Sequence, residues 1–275
     1  MVKLSNTLLG ILNGITLVIS AAIIVGGVWL ATREHNECAK LARWPVIGIG
    51  IFFLILSLIG LFGSCGNNKC LLVFYLVIIF LLILVVLAFT IFAVIVTSKG
   101  AGHAVSGKGY KEYSLGDYST WLKRHVVEKS KYWRKIKSCI IRSEICKNFE
   151  KDNKGVSLSA FYQQNFSPIQ SGCCKPPTAC NFTYVNATTW VNATTPNADP
   201  DCTAWGNPLE TLCYDCQSCK AGVLQTAKNN WKKMVIIDAA VILLLILVST
   251  LGCCAVRNSC RRYHRMPPPG VYVKA

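Results

Sequence analysis

The chain has 275 residues, 52% of them hydrophobic and only 15% charged, with a formal net charge of +16. That balance excludes an ordinary soluble protein, because the apolar residues gather into four blocks that the rest of the chain is too short to cover. Leu8–Leu30, Val46–Ser64 and Leu71–Thr97 hold no charged residue, and Met234–Val256 holds one, Asp238. A run of about 20 apolar residues crosses a bilayer as a helix, so each block reads as a transmembrane span.

The first block is longer than the apolar core of a cleaved signal peptide, about 7–15 residues, and is expected to be retained. Within it Gly10, Asn13 and Gly14 form a small-residue face with an amide inside it. Such a face lets a second helix approach closely, and the amide can hydrogen-bond across the contact. Gly48, Gly60 and Gly63 give the second span similar notches. The third span offers Thr90 as its polar residue and the fourth offers Asp238. Asn13 and Asp238 differ in depth by roughly 15–20 Å at 1.5 Å per residue, so they are not expected to pair. Asp238 is expected near the outer surface, beside Lys232 or Lys233.

Four spans divide the chain into a cytoplasmic N-terminus (1–7), spans 8–30, 46–64, 71–97 and 234–256, a small extracellular loop (31–45), a cytoplasmic turn (65–70), a large extracellular loop (98–233) and a cytoplasmic tail (257–275). Basic residues near span ends are mixed in sign of preference, with Arg33, Lys40 and Arg43 in the small loop and Arg257, Arg261, Arg262 and Arg265 in the tail. Orientation instead follows from the large loop. It contains glycosylation sequons at Asn181, Asn186 and Asn192; a fourth, at Asn165, is followed by Pro168 and is expected to be blocked. It also contains cysteines 139, 146, 173, 174, 180, 202, 213, 216 and 219, a density that belongs to an oxidising compartment.

Nine cysteines cannot all pair, and Cys38 in the small loop brings the count outside to ten. Five bridges are expected, one of them joining the two loops, with the connectivity open. The spacing Cys213-x-x-Cys216-x-x-Cys219 also suits zinc or iron–sulfur ligands, but outside the cell a disulfide role is favoured, and no metal or other cofactor is expected. In SGCCKPPTAC (171–180), Gly172 permits a tight backbone and Pro176–Pro177 an extended arm. The adjacent cysteines are expected to bridge to separate parts of the loop.

Asp117 to Ile141 has a helical pattern, with Asp117 as cap and Tyr118, Trp121, Leu122, Val126, Trp133, Ile136 and Ile140 on one apolar face. Asn148–Gly155 reads as a turn, Ser157–Asn165 as a short helix, and the chain after Pro168 as irregular until a helix from Ala221 leads into the fourth span. The loop holds 19 basic and 10 acidic residues, a net of +9. This is a solvated face or, more sharply, a dock for acidic cell-wall polysaccharide or anionic headgroups; nucleic acid is excluded by the compartment. On the cytoplasmic side, Cys65, Cys70, Cys253, Cys254 and Cys260 cluster at span ends, where S-palmitoylation occurs. Tyr263-His-Arg-Met266 has the form of an endocytic sorting signal, consistent with passage through endosomal membranes.

The residues in GCCKPP at Gly172, DYSTWL at Asp117, KIKSC at Lys135, SPIQSGCCKPP at Ser167, YVNATTW at Tyr184 and LCYDCQSCKAGVL at Leu212 resemble the plant branch of the tetraspanin family, over nearly the whole chain. The resemblance implies an all-α membrane protein: four transmembrane helices with a large disulfide-stapled, partly helical extracellular loop. Animal members carry Cys-Cys-Gly where glycine precedes the pair here, so their disulfide pattern is not carried over. No catalytic constellation stands out, the four histidines being scattered. The implied function is a non-enzymatic scaffold at the plasma membrane. It recruits partner membrane proteins, forms homo- and hetero-oligomers with other tetraspanins, contacts membrane lipids and serves cell-surface signalling and development. A small channel or transporter subunit is the alternative.

Overall fold

The computed structural model describes residues 2–33, 37–66, 69–100, 102–195 and 197–264. The expectations for Met266, and for the side chains of Cys38, Cys260 and Tyr263, lie outside what is described. The chain divides into two compact units, one formed by the helices up to Thr90 together with the chain from Ile236, the other by Ile91–Val235.

The first unit is built from α1 (Val2–Arg33), nearly all of α2 (Glu37–Cys65), α3 (Lys69–Thr97) as far as Thr90, and α10 (Gln217–His264) from Ile236; the last turns of α3, from Ile91, belong to the second unit. Each helix contains a stretch long and apolar enough to cross a membrane. Large apolar side chains such as Val25, Phe62, Phe80 and Leu243 point outward, an arrangement that lipid solvates and water does not. Among the described residues its buried apolar cluster consists of Leu9, Leu56, Leu72, Tyr75, Ile79, Leu245, Val248 and Ala255. α2 starts at Glu37, earlier than the span assigned from composition, and runs through Pro45. Its first two turns, Glu-Cys-Ala-Lys-Leu-Ala-Arg, are rich in good helix formers, and a helix need not end where the hydrocarbon does.

Close approach in this bundle is concentrated at glycines, though not at all those expected. A Cβ on Gly27 would stand 2.8 Å from Ile47, one on Gly50 2.7 Å from Ile24, and one on Gly60 2.4 Å from the Asn13 amide. Gly10 faces Ser64 at ordinary contact distance, while Gly14 has nothing within 4 Å of its Cβ position. Gly14 is therefore corrected: the notch over Asn13 is supplied by Gly60 on the neighbouring helix, because Asn13 itself fills the groove on α1.

The second unit opens with the antiparallel pair β1 (His103–Ala104) and β2 (Lys111–Glu112), in register His103 to Glu112. There follow a 3-10 turn at Leu115–Asp117 and α4 (Thr120–Leu122), which passes directly into a π-helical turn at Lys123–Val127. Then come α5 (Ser130–Arg142), α6 (Ile145–Asp152), α7 (Leu158–Tyr162) and α8 (Pro168–Cys173). The hairpin β3 (Thr183–Tyr184) with β4 (Trp190–Val191), α9 (Asp201–Ala204) and the start of α10 complete it.

Three local expectations change. The single helix from Asp117 is broken, because the Asp117 carboxylate is engaged by His103 Nε2 at 2.7 Å and Ser119 accepts the capping bond from Leu122 N–H instead. Lys129 then takes an extended conformation between the π turn and α5. Asn148–Gly155 is mostly helix rather than turn: Cys146 and Phe149, three residues apart, are both buried and anchor α6. Pro168–Cys173 is helical because Ser167 and Gln170 form a capping box ahead of a proline in the first turn. Between these helices Phe149, Phe161, Phe166, Tyr184 and Trp190 form one aromatic cluster, with centroids 4.9 Å apart for Phe149–Phe166 and 5.0 Å for Tyr184–Trp190.

Candidate functional site

The large loop is organised by its sulfurs. Cys146 is bonded to Cys174, Cys173 to Cys219, Cys180 to Cys202 and Cys213 to Cys216, and Cys139 is also in a disulfide. The adjacent pair Cys173–Cys174 thus faces two ways, one sulfur toward the first turn of α10 and the other toward α6. The bridges of separation 28 and 46 each restrict the unfolded chain by about 3.5–4 kcal/mol in the loop-closure account.

Every residue of Gly172–Pro177 has a local reason. A Cβ on Gly172 would lie 2.3 Å from the Ser218 carbonyl oxygen, so only glycine lets α8 reach the start of α10 and the Cys173–Cys219 bond form. Ser218 Oγ donates to the Gly172 carbonyl at 3.1 Å, and Cys213 N–H to the Cys173 carbonyl at 3.2 Å. Lys175 is fully buried, donates to Glu112 at 2.5 Å and stands 4.5 Å from the centre of the Tyr110 ring. Thr178 N–H donates to the same carboxylate at 3.1 Å, and the Thr178 hydroxyl also reaches it. Burial pushes the Glu112 carboxyl up, but Lys175 and the bonds from Thr178 outweigh it and hold the group below the usual carboxylate range. Next to it the Lys108 amine, 3.9 Å from the Tyr162 ring centre, is pulled down to about 8 by burial and by the charge of Lys175. Sequence reading named the lysine within its motif but not Glu112, which is 63 residues away and has no distinguishing neighbours.

The metal spacing resolves into sulfur–sulfur bonds. Cys213 and Cys216 lie with Asp201 in one tight group, but both sulfurs are in a disulfide, which offers no thiolate. Asp201 accepts from Gln217 N–H at 2.7 Å and Ser218 N–H at 2.8 Å, so its carboxylate caps α10 and complements the positive end of that helix.

Around this hub the surface is basic. Arg124, Lys129, Lys131, Arg134 and Lys135 are exposed on α5 and the π turn before it, while Lys137 is paired with Asp215 at 2.5 Å. The sequon residues Asn181 and Asn192 are exposed, each in a left-handed backbone conformation (φ 53° and 51°). Asn186 is half-buried, and its side-chain oxygen accepts from Thr188 and Thr189 N–H.

In the membrane-spanning unit Asn13 and Asp238 find separate partners on α3. Asn13 donates to the Leu9 carbonyl at 2.8 Å and accepts from the Tyr75 hydroxyl at 3.2 Å. Thr90, which shares its one hydroxyl proton with the Val86 carbonyl, reaches Asp238 at 3.3 Å. Asp238 thus has a threonine partner on the facing helix; the Lys232 side chain expected beside it lies outside the described residues. One expectation is corrected: α3 contributes a second polar group, Tyr75, whose ring reads as apolar in sequence. Tyr75 and Thr90 stand about 22 Å apart along a helix rising 1.5 Å per residue, so the separation of Asn13 from Asp238 in depth holds. Cys65, Cys70, Cys253 and Cys254 are free thiols with exposed side chains.

Compared with known proteins, residues 5–257 match the model of the Tetraspanin family. The chain is 47% identical to Tetraspanin-8 of Arabidopsis thaliana, over 95% of this chain and 96% of that protein. It is 45% identical to Tetraspanin-7 of the same plant (95% and 99%) and 41% identical to its Protein TORNADO 2 (93% and 94%).

Proposed function

Because the chain belongs to the tetraspanin family, whose members generally act as non-enzymatic scaffolds in the bilayer, we propose that it gathers specific partner membrane proteins into microdomains at the plasma membrane. In this reading both termini face the cytoplasm, the cysteine-bridged loop faces outward and selects partners, and the spans carry lateral contacts. Cell-surface signalling and development are the processes it serves, endosomal membranes a station on its route, and acidic cell-wall polysaccharide a further ligand of the basic face.

The observation that carries the proposal is the contrast between the two units. A loop cross-linked by buried disulfides around an aromatic cluster is a rigid recognition body, whereas the bundle buries few side chains and presents long apolar flanks to its surroundings. That combination suits sideways assembly. Purification in mild detergent after proximity labelling should return the same membrane proteins, and exchanging the segment 120–219 for that of another tetraspanin should change the set. Selective ion or solute flux through vesicles holding the purified protein alone, with no reproducible partners, would favour a channel instead.

A further inference from the structure

α3 carries Phe92 five residues before its end at Thr97. Counting from Leu71, where its uncharged run begins, Phe92 stands about 32 Å along the helix, the level at which a hydrocarbon core about 30 Å thick gives way to headgroups. The Trp121 ring meets Phe92 edge to face with centroids 5.0 Å apart. A residue of the large loop therefore meets α3 at the level where, by length, that boundary is expected.

The surroundings of Trp121 fit that boundary. Trp121 is 44% exposed and Phe92 42%, so the pair leaves an open apolar flank rather than closing into the loop core. On the other side of the indole lies His125, stacked at 4.6 Å with Nδ1 2.8 Å from the Trp121 carbonyl oxygen. The π-helical turn sets this pairing while burying Leu122 and Val127 inward and leaving Arg124 and His125 exposed. A second indole marks the same level: Trp231 lines, with Ala93, Val94 and Thr97 of α3, a groove of about 320 Å³. Indoles favour this zone of a bilayer because one edge is apolar and the other donates a hydrogen bond.

We propose that Thr120–Val127 is a lipid-headgroup site on the large loop. Trp121 sits at the hydrocarbon boundary of the adjoining leaflet, and Arg124 bonds the phosphate of a phospholipid there, a pairing for which its planar fork is well shaped. The contact anchors the start of α5, and with it the basic face, at a set height above the membrane. It does not depend on which proteins the scaffold assembles.

The test uses the full chain in nanodiscs of phosphatidylcholine, with and without bromine on the upper acyl carbons. Bromines quench nearby indoles, so the quenched emission that Trp121→Phe removes is the Trp121 component; phenylalanine keeps a ring against Phe92, and an unchanged disulfide map verifies folding. Arg124→Glu, which replaces the phosphate-bonding fork with a like charge, should lower that component, with recovery in discs of phosphate-free galactolipid. Equal quenching in wild type and Trp121→Phe would mean that the loop stands clear of the lipid. An unchanged component in Arg124→Glu would overturn the phosphate contact. Quenching that appears only when a co-purifying protein is retained would assign the turn to a protein partner and overturn the lipid site.

Discussion

The ammonium of Lys175 and the carboxylate of Glu112 meet at 2.5 Å with the lysine side chain only 1% exposed, although 63 residues of chain separate them. Removing one partner leaves a buried charge uncompensated, which costs about 3–5 kcal/mol. Lys175→Met should therefore destabilise the loop strongly, and Lys175→Met with Glu112→Gln should cost clearly less than the two single changes added together. Denaturant unfolding followed by tryptophan emission measures both; strict additivity would show that the charges do not interact. Because the folded Glu112 carboxyl is held low, its contribution is present above the unfolded value, about 4.3, and is lost as the pH falls through the folded value. Wild type should weaken more on acidification below about pH 4.3 than the double variant does.

Inside the membrane, Gly60 closes over the Asn13 amide that Tyr75 bonds. Tyr75→Phe should cost about 0.6 kcal/mol, with ~1.7 as the upper end for such bonds. Gly60→Ala should cost more, since its Cβ would fall 2.4 Å from the Asn13 oxygen. Gly14→Ala, with nothing within 4 Å, should be neutral. Thermal unfolding in one detergent ranks the three, and a Gly14→Ala as harmful as Gly60→Ala would refute the assignment of the notch.

Four bridges pair eight of the loop cysteines, and Cys139 is bonded as well. Cys38 is the one cysteine of the outward-assigned segments left over in the sequence. Non-reducing digestion and mass spectrometry should find these four pairs and a Cys38–Cys139 peptide. Alkylation of Cys38 before reduction would break that assignment.

Glycan attachment is expected at Asn181, Asn186 and Asn192. The exposed left-handed positions, Asn181 and Asn192, should be fully occupied and the half-buried Asn186 the least. Glycosidase treatment of single Asn→Gln variants reads the occupancy of each. A mobility shift that survives the triple variant would point to Asn165 or another modification.

The free, exposed Cys65, Cys70, Cys253 and Cys254 are the expected acylation sites, with Cys260 the fifth. Hydroxylamine-dependent biotin exchange should label wild type and fall to background in the five-fold Cys→Ser variant. Equal labelling of the two would remove acylation at these positions.

Composition alone determined the membrane architecture, because a block such as Leu71–Thr97 has no soluble alternative, and the bridged state of the large loop followed from its cysteine density. Strong local signals were also legible: Ser157 as a helix start, and a glycine demanded beside Cys173. What tertiary structure decided were the pairings between distant residues. Glu112 is one unremarkable carboxylate among ten acidic residues of the loop until folding puts it against Lys175. Tyr75 is apolar by its ring and polar only because Asn13 faces it. Trp121 has the periodicity of a core residue and lies instead against Phe92, because Asp117 gave up its cap to His103 and the π turn rotated the face. Periodicity reports what a helix would bury if it ran straight; hydrogen bonds made across the chain decide whether it does.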